Sequence, residues 1–160
     1  MAKIQKITPF LWFDNNAEEA VNFYVSLFDN SKVVNVSRYG DAGPGPKGQV
    51  MVMGFELAGQ SYMALNGGPV FKFTEAISLM VNCETQGEVD RFWKALTKGG
   101  SESQCGWLKD RYGLSWQIVP TILGKLMSDK DAARSGRVMQ AMMQMVKLDI
   151  SKLQAAYDGH

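Results

Sequence analysis

The chain has 160 residues, 46% of them hydrophobic and 21% charged, which is the composition of one ordinary globular domain with a sizeable core. A formal net charge of +1 gives no electrostatic reason to expect nucleic acid or an anionic membrane as a partner. The opening segment Met1 to Lys6 lacks the apolar stretch of a secretory leader, and two cysteines do not make a disulfide scaffold, so a reduced cytoplasmic protein is expected.

Lys6 to Phe13 reads as a strand broken by Asn15-Asn16, and Asn16 with Glu19 reads as a capping box opening a helix. Ala17, Ala20, Val21, Tyr24, Leu27 and Phe28 fall on one face of that helix. Lys32 to Tyr39 is a second strand, and Gly40 to Gly48 an exposed loop. Gln49 to Leu57 and Gln60 to Asn66 form a hairpin turning at Ala58-Gly59, before Asn66-Gly67-Gly68-Pro69 punctuates the chain.

The pattern then restarts. Ala76 to Cys83 is a strand, Thr85 with Glu88 a second capping box, and Val89, Phe92, Trp93 and Leu96 the apolar stripe of a second helix. Laying Asn16 on Thr85 gives an offset of 69, which also superposes Glu19 on Glu88, Phe23 on Phe92 and Leu27 on Leu96. That coincidence predicts two copies of one strand–helix–strands unit. The second copy closes on a hairpin, Trp107 to Lys109 and Leu114 to Val119, with Asp110 to Gly113 as its turn. Leu114, Trp116 and Ile118 face one way there, and Ser115, Gln117 and Val119 the other. Beyond Pro120 the chain is helical, with Asp129 as a cap, a helix reaching about Met145, and a last helix capped by Ser151. Met139, Met142, Met143 and Val146 make an apolar stripe suited to the chain's own sheet or to a second subunit.

The repeat, together with Ala64-Leu65-Asn66-Gly67-Gly68-Pro69, Cys105-Gly106-Trp107-Leu108, Trp116-Gln117-Ile118-Val119-Pro120 and Met145-Val146-Lys147-Leu148-Asp149-Ile150, resembles the PhnB-like branch of the vicinal oxygen chelate superfamily. That superfamily includes glyoxalase I, extradiol dioxygenases, and the bleomycin- and fosfomycin-resistance proteins. The resemblance implies an α+β fold: two tandem βαβββ modules with cupped antiparallel sheets and a cavity within, the glyoxalase/bleomycin-resistance fold. The modules would span 1–70 and 71–120, with a helical C-terminal extension over 121–160, in one structural domain. It also implies a homodimer. Members of the branch are often labelled 3-demethylubiquinone-9 3-methyltransferase, but no glycine loop of the GxGxG kind leads from a strand into a helix here.

Superfamily enzymes hold a divalent metal with His, Gln or Glu from the first and last strands of each module. The offset places Pro9, Met63, Ser78 and Gln117 at those positions, and the one histidine is the terminal His160. No metal or other cofactor is therefore expected, and no residue stands out as catalytic. Without an internal histidine neither a Cys–His dyad nor a Ser–His–Asp triad can be built. Cys83, just before a capped helix, is a candidate for a lowered thiol pKa or a structural residue. Phe13, Ser78, Trp107 and Gln117 are the expected ligand-binding residues, around an apolar or aromatic small molecule. Leu11, Met63, Met80 and Asn82 share their expected inward face, whereas Phe10, Trp12 and Trp116 are expected beneath the helices. Ser78 and Gln117 are equally readable as a buried pair satisfying each other. The expected function is metal-independent binding of such a molecule. The alternative is an enzyme of lyase, isomerase or dioxygenase type, or the labelled methyltransferase.

Overall fold

The computed structural model describes residues 4–160; Met1 to Lys3, which begin both the leader argument and the first module, lie outside it. Each half of the chain builds one four-stranded sheet backed by a helix, the βαβββ arrangement that the repeat predicts. In the first half the elements are β1 (Phe10–Phe13), α1 (Ala17–Leu27), β2 (Lys32–Arg38), β3 (Val50–Leu57) and β4 (Gln60–Asn66). The second half holds β5 (Ser78–Cys83), α2 (Gln86–Thr97), β6 (Ser101–Glu102), β7 (Trp107–Lys109) and β8 (Ser115–Pro120). Three helices follow, α3 (Thr121–Met127), α4 (Ala132–Met143) and α5 (Ile150–Asp158). The chain divides into two compact units, one ending at Lys72 and the other running from Phe73 to His160. No helix among the described residues is long and apolar enough to cross a membrane.

The sheets are mixed, which corrects the antiparallel expectation. Strand order is β1-β4-β3-β2 and β5-β8-β7-β6, with β1 parallel to β4 and β5 parallel to β8. A helical crossover returns the chain to its starting end, so the strand after the helix runs with the strand before it. The two reversals of the following meander then make the last strand parallel to the first.

Within the first unit, Ala17, Ala20, Val21 and Tyr24 of α1 are buried, as are Val50, Met53, Phe55 and Leu57 of β3. The β3–β4 turn follows from Ala58 at φ 48° and Gly59 at φ 80°, both left-handed as a two-residue hairpin of the I′ kind requires. The capping box at Asn16 does not form: the Asn16 side chain caps nothing. Instead Asn66, at the far end of β4, accepts a hydrogen bond from the Ala17 amide through Oδ1 at 2.9 Å and donates through Nδ2 to the Val50 carbonyl at 3.0 Å. Helix start and sheet are thereby tied through one buried amide.

In the second unit the Thr85 cap does form, with Glu88 reaching past it to the preceding residue. The Glu88 amide donates to Thr85 Oγ1 at 3.2 Å, and the Glu88 carboxylate receives the Glu84 amide. Val89, Phe92, Trp93 and Leu96 are buried on the inner side of α2, each such side chain contributing on the order of 1.5–3 kcal/mol. The two-residue β6, which sequence reading missed, is pinned by Trp93, whose Nε1 donates to Glu102 at 2.7 Å. The C-terminal helices form their own small core of Leu126, Val138 and Leu153, joined by Met142 and Tyr157. So Met142 packs helix on helix and not on a sheet, while Met139 and Met143 stay exposed. The helix caps also move: α4 starts at Asp131 and α5 at Asp149, each carboxylate accepting amides of the first turn.

Candidate ligand site on the second sheet

The hairpin β7–β8 is shaped by Asp110. Its carboxylate is buried, and Oδ1 accepts from the Tyr112 amide at 2.8 Å and the Leu114 amide at 3.1 Å. Oδ2 accepts from Trp116 Nε1 at 2.9 Å, so one side chain closes the turn and fixes the large indole beneath the helix. Upstream, the Cys105 and Gly106 amides donate to the Met145 and Val146 carbonyls, both at 2.8 Å. Gly106, at φ 83°, leaves no room for a side chain: an added Cβ would stand 2.9 Å from the Ile118 carbonyl oxygen. Gln86 holds the same tail segment on α2, donating to the Leu148 carbonyl and accepting the Ile150 amide. These ties set where β7 lies, and with it Trp107.

The register then sorts the faces. Leu114, Trp116, Ile118 and Leu108 are buried toward α2. Ser78, Met80, Trp107 and Gln117 fall on the opposite, open face, where Gln117 pairs across the strands with Met80 on one side and Trp107 on the other. Gln117 Nε2 donates to Ser78 Oγ at 2.9 Å. Three of the four expected ligand residues, Ser78, Trp107 and Gln117, are thus brought together, half-buried, with Met80 exposed beside them at 55%.

Phe13 is not among them. It is 2% exposed and pairs with Asn66, whose side chain reaches the start of α1, so Phe13 lies in the core of the first unit beneath that helix. Leu11 is buried on the same side, whereas Phe10 and Trp12 stand on the open face of the first sheet, Trp12 donating to the Gly68 carbonyl at 2.9 Å. The inward and outward assignments of these four residues are therefore exchanged. The cause is length: Asp14 and Asn15 separate Phe13 from the helix-start residue Asn16, but Glu84 alone separates Cys83 from Thr85. One extra residue turns every side chain of the strand over.

Other candidates are placed as well. Arg38 pairs with Glu18 of α1 at 2.8 Å, and Glu56 with Lys32 at 3.6 Å, and both belong to the first unit, away from the Ser78, Trp107 and Gln117 group of the second sheet. Arg111 stays on the turn, its guanidinium over the Tyr112 ring at 5.6 Å. Cys83 is buried, and desolvation pushes its thiol up to about 11, the reverse of the activation that its place before a helix suggests. At the positions that the offset of 69 assigns to a metal, the first unit offers Pro9 and Met63 and the second Ser78 and Gln117, a donor set without imidazole or carboxylate. No cluster of three His, Cys, Asp or Glu capable of holding a metal exists among the described residues. These residues do not fit the superfamily metal.

A cleft of about 160 Å³ lies beside this face, lined by Glu75, Ser101, Trp107, Lys109 and Ser115. Sequence reading missed Glu75, Lys109 and Ser115 as site residues. The signal was present in the hairpin, whose closure across Asp110 to Leu114 sets Lys109 opposite Ser115. A second cleft, of about 310 Å³, belongs to the first unit, between the loop that follows Tyr39 and the Gly67-Gly68 turn.

The model of the family described as 3-demethylubiquinone-9 3-methyltransferase matches residues 5–119 of this chain. The chain is similar to the PhnB protein of Bacillus cereus, with 43% identity and a TM-score of 0.69 over 73% of this chain and 100% of that one. It is also similar in fold to a protein of Pseudomonas aeruginosa, with 23% identity and a TM-score of 0.61 over 73% and 98% of the two chains. No curated protein matches it.

Proposed function

The chain belongs to the PhnB-containing family whose model bears the 3-demethylubiquinone-9 3-methyltransferase description, and from that premise we propose that it binds a small apolar or aromatic molecule without a metal. The bound molecule would sit on the open face of the second sheet. The observation that carries this reading is the Gln117–Ser78 hydrogen bond set beside Trp107 and the exposed Met80. A few fixed polar groups among apolar and aromatic ones are what orient a small ligand. Ser78 has its own hydroxyl proton left to donate, and the Gln117 carbonyl oxygen can accept. Trp107 supplies a flat apolar surface.

The work required of such a site is binding and orientation, which needs no acid, base or nucleophile. Methyl transfer finds no support in the backbone: the turns from β1 into α1 and from β5 into α2 contain no glycine. The glycine-rich loop leads into β3, and its Gly43 and Gly45 pack on the Tyr39 ring, where an added Cβ would come within 2.7 Å and 2.3 Å of it. We propose further that the protein acts as a homodimer, a reading supported by the exposed Val34 and Val36 of β2 and Met139 and Met143 of α4.

A thermal-shift panel tests the binding reading. Small aromatic compounds raise the melting temperature of the wild type, by the equivalent of about 2.7 kcal/mol at a hundredfold excess over Kd. Trp107→Ala abolishes that rise. Stabilisation by S-adenosylmethionine, or a stoichiometric divalent metal whose removal abolishes an activity, would overturn the proposal. Sedimentation at micromolar concentration reads the dimer directly, and a monomer there removes that part.

A further inference from the structure

The register of the second sheet sets four side chains abreast. Ser78 pairs with Ser115, Ser115 with Lys109, and Lys109 with Ser101, so a polar row crosses β5, β8, β7 and β6 on the open face. Directly paired residues of neighbouring strands hold their Cβ atoms about 4.5–5.5 Å apart, close enough for one ligand group to touch two or three of them. Two residues further along the strands, Met80, Gln117 and Trp107 make a parallel row. Hydroxyls and an ammonium therefore lie beside an indole and a thioether.

Two features of this row point to an occupant. Ser115 is 1% exposed, and its Oγ is buried with no hydrogen-bond partner among the described residues. Its neighbour Ser78 is already engaged by Gln117, so the Ser115 proton is free to be donated. A buried hydroxyl left unpaired is destabilising, and one that lines a cleft has a ready remedy in whatever fills the cleft. The second feature is Glu75. Its carboxylate is paired with the Lys109 ammonium, yet the side chain is 63% exposed and comes from the irregular stretch before β5. That ion pair holds the Glu75 carboxyl below the usual carboxylate range.

The geometry points to a carboxylate-binding subsite, in which an organic carboxylate replaces Glu75 on Lys109 and accepts a hydrogen bond from Ser115 Oγ. The chemistry follows from what is present. Glu75 demonstrates that a carboxylate fits against this ammonium. An exposed ion pair is weak, so exchanging its acid for another costs little. The incoming group gains the bond to Ser115, and its apolar part lies on Trp107. At about 160 Å³ the cleft has the liquid volume of roughly five waters, room for a carboxylate and a short apolar stem. The inference rests on the proposal that this face binds a small molecule, and it adds the head group by which that molecule is held.

The test is a titration of the full-length, ¹⁵N-labelled protein with benzoate and with its neutral counterpart benzyl alcohol, at pH 7 and low salt. The Trp107 indole resonance, identified through Trp107→Phe, and the Ser115 amide report occupancy. Benzoate is expected to bind saturably and severalfold more tightly than benzyl alcohol. Lys109→Gln removes that preference, weakening benzoate about two- to fivefold as loss of an exposed ion pair does. Ser115→Ala weakens benzoate severalfold. Glu75→Gln does the opposite: deleting the competing carboxylate tightens benzoate about two- to fivefold, a gain that a purely structural ion pair would not yield. Equal binding of the two probes, or benzoate binding indifferent to Lys109→Gln, sinks the carboxylate subsite and leaves the small-molecule site standing. If neither probe moves Trp107 or Ser115, the cleft holds only water and both readings fall.

Discussion

Replacing Asp110 by alanine probes the hairpin that carries the proposed site. Among the groups that bind that carboxylate are the amides of Tyr112 and Leu114 and the indole of Trp116. The Leu114 and Trp116 donors are buried, so each is left without a partner at a cost of about 1–3 kcal/mol. The Tyr112 amide is only partly buried and can turn to water. Asp110→Ala is thus expected to destabilise by about 2–6 kcal/mol, a large share of the roughly 5–15 kcal/mol that holds a domain together. Asp110→Asn keeps one carbonyl oxygen for the two amides but turns an NH2 toward the indole N–H. It is expected to cost about 1–3 kcal/mol, between wild type and alanine. Urea unfolding followed by tryptophan fluorescence measures both, because Trp93, Trp107 and Trp116, three of the chain's four tryptophans, lie in the second unit. The slope against urea should be unchanged, so the midpoint carries the result. A loss below about 1 kcal/mol for the alanine variant, or equal losses for both, would refute the account of Asp110 as a shared acceptor.

Two further outcomes are expected. Asn66→Ala strips the Ala17 amide and the Val50 carbonyl of their buried partner, and should lower stability by about 2–4 kcal/mol in the same urea experiment, with a change under 1 kcal/mol counting against the tie. Cys83, with its thiol raised to about 11, should resist alkylation at pH 8 in the folded protein while Cys105, only half-buried, reacts. The unfolded thiol ionises first, near 9, so the unfolded state binds fewer protons and stability falls as pH rises from 9 toward 11. Cys83→Ala should flatten that fall; an identical pH profile in the variant would dismiss Cys83 as its source.

Local signals in the sequence translated well into structure wherever the responsible residues are neighbours in the chain. Ala58-Gly59 turns the hairpin, Thr85 and Glu88 cap α2, and the alternation from Leu114 to Val119 sorts core from open face because each depends on contacts a few residues apart. The failures involve distant partners. Asn16 has the right chemistry for a cap, but Asn66 arrives from 49 residues away and takes the first amide of α1. Neither the unpartnered hydroxyl of Ser115 nor the two-residue β6 announces itself in composition, since both are consequences of register.

The internal repeat carries a subtler lesson for the site. Helices superpose at an offset of 69, but the strands do not: Phe10 pairs with Met63 as Met80 pairs with Gln117, which sets the first strands 70 apart. Counted along the strands, Ser78 therefore corresponds to Thr8 and not to Pro9. The correction leaves Thr8 and Met63 in the first unit against Ser78 and Gln117 in the second, again without imidazole or carboxylate. Neither offset brings an imidazole or a carboxylate to these positions. What the offset does change is the face that the first strand presents. The shifted strand puts Phe10 and Trp12 on the first sheet's open face, beside Met63, where the second sheet has Ser78 and Met80 beside Gln117. Both open faces carry polar rows, Ser61, Glu56 and Lys32 in the first sheet and Ser78, Ser115, Lys109 and Ser101 in the second, so one added residue before α1 makes the two first strands unlike in chemistry though the copies are alike in topology.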